Sequence, residues 1–126
     1  MTAGTHGSTF GGNPLAMAVG NAVLDILFEK NFFKNVKEKG VYFDQGLNKI
    51  KKKYPKIIGE IRGLGLMKGL RMLVDNVEFM KKLEENKMLT VKAEENVIRL
   101  FPPLIINNEE LDEAINKIGK ACKEMS

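Results

Sequence analysis

Between Ile57 and Leu73 the spacing of apolar residues changes, and that change limits the folds open to this chain. Upstream, Leu15, Val19, Ala22 and Ile26, and then Phe43, Leu47, Ile50 and Tyr54, recur every three or four residues, the period of one helix face. From Ile57 the pattern is different: Ile57, Ile58, Ile61 and the stretch Leu64–Leu73 are short apolar runs split by Gly59, Gly63, Gly65 and Gly69. Runs this short, punctuated this way, predict two strands joined by a tight Gly63-Leu64-Gly65 turn. Helical spacing returns at Val77, Met80 and Leu83 and lasts to about Lys87. Short strands at Met88–Val91 and Val97–Leu100 flank a polar Lys92–Asn96 turn, and Pro102-Pro103 stops the second of them. A last helix is expected over Asn108–Glu124, with Leu111, Ile115, Ile118 and Cys122 as its buried stripe. Its acidic first turn and its closing Lys117, Lys120 and Lys123 suit the helix dipole. The result is an α/β (α+β) chain, with helices packed on a short sheet.

The two upstream helices carry their own signals. Asn13-Pro14 reads as an N-cap followed by proline at the first helical position, so a helix is expected from Pro14 to about Glu29. A second runs from Phe32 to Lys53, with a break expected near Gly40 and an end imposed by Pro55. Gly46 inside it costs about 1 kcal/mol of helix propensity against alanine.

Bulk properties exclude several classes. A chain of 126 residues, 44% hydrophobic and 29% charged, has the make-up of one ordinary globular domain. The net charge of +4 is unevenly spread, with a lysine-rich stretch from Lys30 to Lys56 that falls on the polar side of a helical pattern. A solvated face explains it better than nucleic-acid binding. No apolar run approaches the roughly 20 residues that span a bilayer, and the N-terminus has no signal-peptide pattern, so no membrane association and a cytoplasmic location are expected. The single cysteine, Cys122, cannot form an internal disulfide, and its place on an apolar stripe predicts a buried structural thiol. One histidine and one cysteine cannot make a usual metal-ligand set, so no metal site is expected.

Three places rise above packing. The first thirteen residues hold four glycines with Thr2, Thr5, Ser8 and Thr9, and Gly7–Gly12 directly precedes a capped helix. Hydroxyls and amides in a glycine loop suit a phosphate, although a plain turn accounts for the composition as well. Arg99 interrupts the apolar strand Val97–Leu100 ahead of the double proline, where its planar donor fork could meet a carboxylate or simply face solvent. Arg62, in Ile61-Arg62-Gly63-Leu64-Gly65-Leu66-Met67, is expected to pair structurally. His6, with no partner evident, makes a poor catalytic base.

Taken together and in order, these segments resemble one family. Gly4-Thr5-His6-Gly7-Ser8-Thr9-Phe10-Gly11-Gly12-Asn13-Pro14-Leu15-Ala16 is similar to a stretch of class III aminotransferases of the acetylornithine and ornithine type. Ile61–Met67 resembles that family's Arg-Gly-x-Gly-Leu segment, and Glu95–Leu104 its Ile-Arg-x-x-Pro-Pro-Leu strand. The resemblance implies the small C-terminal domain of fold-type I pyridoxal-phosphate enzymes, with a short, mostly antiparallel sheet. Residues 1–13 would be its cofactor-phosphate loop, and residues 14–126 the domain with its leading helix. It further implies that Ser8 and Thr9 reach the cofactor phosphate of the neighbouring subunit in a homodimer, and that Arg99 grips the carboxylate of an amino-acid substrate. Phe10 leans toward N-acetylornithine, with 2-oxoglutarate as amino acceptor, in arginine biosynthesis. The lysine that carries pyridoxal 5′-phosphate lies upstream of the Gly-Ser-Thr segment in the family. No residue of this chain is therefore expected to be catalytic, and the chain alone is expected to be inactive. The alternative is a free-standing, non-catalytic domain that binds an anion or a protein partner.

Overall fold

The computed structural model of the protein describes residues 7–126. The chain divides into two compact units, one ending at Phe33 and the other running from Lys34 to Ser126.

In the first unit a turn leads into helix α1, Pro14–Leu27. The Asn13 side chain accepts from the amides of Leu15 (3.0 Å) and Ala16 (3.3 Å), so the expected cap forms, and Pro14 begins the helix. The helix stops at Leu27, two residues short of the expected Glu29, where Phe28 closes it onto the Leu24 and Ile26 carbonyls. None of its residues is buried, and Leu15, Met17, Val19 and Ile26 are all exposed.

Helix α2 covers Phe32–Lys53 without interruption. The break expected at Gly40 does not occur, because this glycine serves a close approach. A Cβ built there would lie 2.9 Å from the backbone of Gly65. Gly40→Ala should therefore destabilise by about 1–2 kcal/mol through overpacking, outweighing the roughly 1 kcal/mol gained in helix propensity. Urea denaturation would detect it, and a stabilised variant would contradict the packing. Gly46 has a similar purpose, since a Cβ there would run into the Ile115 side chain of α4.

The second unit is built on a four-stranded antiparallel sheet ordered β1-β2-β4-β3, with β1 Ile58–Leu64, β2 Met67–Met72, β3 Val91–Ala93 and β4 Val97–Leu100. Helix α3, Asn76–Glu85, links β2 to β3, and α4, Asn108–Glu124, closes the chain. One sheet face, with Ile58, Leu70, Met72, Ile98 and Leu100, packs in a single cluster with Phe43 and Leu47 of α2, Phe79 and Leu83 of α3, and Leu111 and Ile118 of α4. Burying such side chains contributes about 1.5–3 kcal/mol each. Cys122 is buried in the same cluster, and desolvation pushes its thiol up to about 12, the behaviour of a structural cysteine.

Three local features depart from expectation. The β1–β2 turn is the two-residue Gly65-Leu66 rather than Gly63-Leu64-Gly65: Leu64 pairs with Met67, and Gly65 at φ +56 supplies the positive-φ first position of a II′ hairpin. Gly63 instead lies inside β1, at φ +118. The strand expected at Met88–Val91 starts only at Val91, because Lys87 and Met88 are used to end α3. Lys87, at φ 58, donates to Glu84 (2.8 Å) and Met88 to Leu83 (2.9 Å), a Schellman closure with a lysine in the glycine position. A lysine inside an apolar strand is expected to face solvent, but Lys68 of β2 faces the core at 3% exposure and donates to Asp44 Oδ2 of α2 at 2.6 Å. Helix α4 begins as expected at Asn108. A reciprocal capping box between Asn107 and Glu110 fixes its start.

Candidate functional site

The other sheet face is open, and the strand register sets what it displays. Arg62 of β1 pairs with Gly69 of β2, Gly69 with Arg99 of β4, and Arg99 with Val91 of β3. Two arginines thus share one row with a glycine between them. Ile98 and Leu100 are buried on the core side, so strand alternation turns Arg99 outward, where it is exposed. Above this row lies an open hollow of about 890 Å³, lined by Arg62, Gly69, Asn76, Lys92, Glu95 and Arg99 among others. A smaller one of about 320 Å³ adds the apolar side chains of Met67 and Phe101 beside the same two arginines.

The two guanidinium groups differ in their partners. Arg62 donates through Nε to Glu60 (2.9 Å) and through Nη1 to Glu95 (2.7 Å), as a structurally pairing arginine should. Both contacts hold the guanidinium in its charged form, and the hydrogen bond from Arg62 holds the Glu95 carboxyl below its ordinary value. Among the described residues Arg99 makes no ion pair. Glu95 is itself held in place. It occupies a left-handed turn position (φ 58) next to Asn96 (φ 59), whose side chain donates to the carbonyls of Met72 (2.9 Å) and Val74 (2.7 Å) and accepts from the Asn76 amide (3.0 Å). Asn96 therefore anchors the turn that delivers both Glu95 and β4. Sequence reasoning missed this residue; its only signal was a polar turn ahead of a strand.

Ser8 and Thr9 belong to the first unit, in an exposed turn closed by Gly11 N–H to Ser8 O (3.1 Å) and Asn13 N–H to Phe10 O (3.2 Å). The first amides of α1 are already taken by the Asn13 side chain. An anion at this segment would have to be met by the two hydroxyls and the loop amides rather than by the helix end. His6 lies outside the described residues. Among the described residues no cluster of histidine, cysteine, aspartate and glutamate could hold a metal ion, and no helix is long and apolar enough to cross a membrane.

A four-stranded antiparallel sheet with helices on one face and a free arginine on the other fits the small domain expected from the sequence. The chain belongs to the class-III aminotransferases, whose family model matches residues 1–122. Over 126 residues it is 47% identical to the acetylornithine aminotransferase of Mesorhizobium japonicum, a match that takes in all of this chain and 32% of that protein. Among solved structures, the ornithine aminotransferase of Plasmodium yoelii superposes with a TM-score of 0.86 at 35% identity, covering 100% of this chain and 34% of that one. The acetylornithine aminotransferase of Elizabethkingia anophelis gives 0.86 at 33% identity, covering 98% and 33%. The chain thus spans about a third of the length of the relatives it matches.

Proposed function

We propose that this chain is the C-terminal, substrate-gripping segment of a pyridoxal-phosphate-dependent aminotransferase acting on N-acetylornithine and 2-oxoglutarate in arginine biosynthesis, in the cytoplasm. The observation that carries the reading is Arg99: an exposed guanidinium in a hollow, without an ion pair among the described residues, beside a second arginine that is paired with two carboxylates. A planar fork in that position suits two-point recognition of a substrate carboxylate. The apolar neighbours Met67 and Phe101 would lower the local dielectric around such a pair.

Residues 1–13 would form the cofactor-phosphate loop and residues 14–126 the small domain with its leading helix. Exposed hydroxyls in a glycine turn fit a phosphate, so Ser8 and Thr9 would hold the cofactor's phosphate group, across the subunit interface of a homodimer. When bound, pyridoxal phosphate supplies the electron sink for moving an amino group. The residues of this chain orient and bind; none of them moves the proton, and the segment alone would be inactive. Phe10 favours the acetylated substrate. In the complete enzyme, Arg99→Ala should raise KM for the amino acid about tenfold or more, the loss expected of one charge-assisted pair, and Arg99→Lys should recover only part of it. An unchanged KM in Arg99→Ala would remove Arg99 from the substrate site.

A further inference from the structure

Arg62 and Arg99 stand in one row of the sheet, separated only by Gly69, which has no side chain to fill the space above it. Paired Cα atoms of neighbouring strands lie roughly 5 Å apart, so the two arginines rise roughly 10 Å apart. Two long side chains leaning toward each other from that distance could take both ends of a short dicarboxylate. Arg62 does not lean that way. It is drawn to Glu60 on its own strand and to Glu95 in the β3–β4 turn. Both contacts are short, and Asn96 fixes the turn that carries Glu95. The other charged groups around the hollow are Lys92 and Glu94, with Arg71 displayed beside Glu60 and Val97 on the same face.

We infer that Glu95, with Glu60, is a specificity-determining residue: by occupying Arg62 it leaves Arg99 as the row's one guanidinium offered to ligand, so a dicarboxylate is held here by one end only. The other end must find its partner elsewhere. This rests on the carboxylate role proposed for Arg99 and adds what sets the number of carboxylates recognised. The pair is built to be modest in strength, because Arg62 is 42% and Glu95 68% exposed, and exposed ion pairs are weak. Removing one carboxylate should therefore change selectivity without unfolding the domain.

The test is an NMR titration of the full 126-residue chain, isotope-labelled, with acetate and glutarate as probes and the arginine Nε–Hε resonances as readout. In the wild type both probes should move the Arg99 signal and leave Arg62 in place, with affinities within about threefold of each other. In Glu95→Gln, glutarate should bind about fivefold more tightly and now move Arg62, while acetate stays within about twofold of wild type. Glu60→Gln should shift selectivity in the same direction by less, and it carries the test if the first variant does not fold. A glutarate gain below about twofold in the folded variants, with Arg99 still responding, overturns the inference and leaves Arg99 as the carboxylate site. An equal gain for both probes also overturns it, since that is only added positive charge. If acetate does not move Arg99 even in the wild type, the carboxylate role fails and the inference with it.

Discussion

Asp44→Ala should lower the stability of the chain by about 2–3 kcal/mol, less than the 3–5 kcal/mol of a fully buried broken pair because Asp44 keeps some solvent. The Lys68 side chain is 3% exposed and lies on the core face of β2 with Leu70 and Met72, whereas Asp44 on α2 is 40% exposed. Deleting the carboxylate leaves an ammonium among apolar side chains with no partner, and desolvating a charge costs more than the pair contributes. Lys68→Met removes the demand altogether and fills similar volume, so it should fall within about 1 kcal/mol of wild type or stabilise. The double variant should then recover most of the loss caused by Asp44→Ala. For a domain of this size the single variant corresponds to a melting-temperature drop of roughly 10–20 °C. Thermal unfolding of the three variants checks the scheme, and a loss below about 0.5 kcal/mol in Asp44→Ala would mean that Lys68 reaches solvent by another route.

Element types were legible wherever an apolar period was long or a cap was spelled out. Asn13-Pro14 marks the start of α1 to the residue, because a cap satisfies specific backbone amides and therefore has a fixed position, and α4 begins at the expected Asn108 on a capping box between Asn107 and Glu110. The errors gathered where glycine has more than one use. Gly40 reads as a helix break but is a point of close approach, and Gly63 reads as part of a turn but is a strand residue. Composition cannot separate these uses, since each depends on a neighbour far away in sequence. Gly40 meets Gly65, and Gly46 meets Ile115. Lys68 was hidden for a similar reason: a lysine at a core position is explained only by Asp44, on a different element.

At the site, Arg99 stood out because a cation inside an apolar strand is uncommon, and strand alternation gave its outward direction. The sequence could not give its relation to Arg62. That depends on the order β1-β2-β4-β3, which places residues 37 positions apart in one row. Nor could it show that Arg62 is taken by Glu95, since their meeting requires both the sheet register and the left-handed turn that Asn96 holds. Ser8 and Thr9 remain legible only as chemistry, two exposed hydroxyls in a glycine turn, with the phosphate role resting on the family.

The β1–β2 hairpin offers the second large effect. Gly63→Ala should cost about 3–5 kcal/mol, combining a backbone conformation closed to L-residues with a clash that cannot relax. Gly63 sits at φ +118, and a Cβ there would run into the Met67 carbonyl oxygen, which is backbone rather than a movable side-chain end. Gly65, two residues on, is a control within the same hairpin. It too has positive φ, at +56, but nothing lies within 4 Å of a built Cβ. Gly65→Ala should therefore cost less, about 1–2 kcal/mol, from backbone strain alone. Gly63 also follows Arg62 directly, so forcing the strand apart there should displace the guanidinium from Glu60 and Glu95 and disturb the row it shares with Arg99. Urea denaturation of both variants decides the point. Equal losses would mean that generic glycine entropy, not the contact with Met67, sets the cost at Gly63.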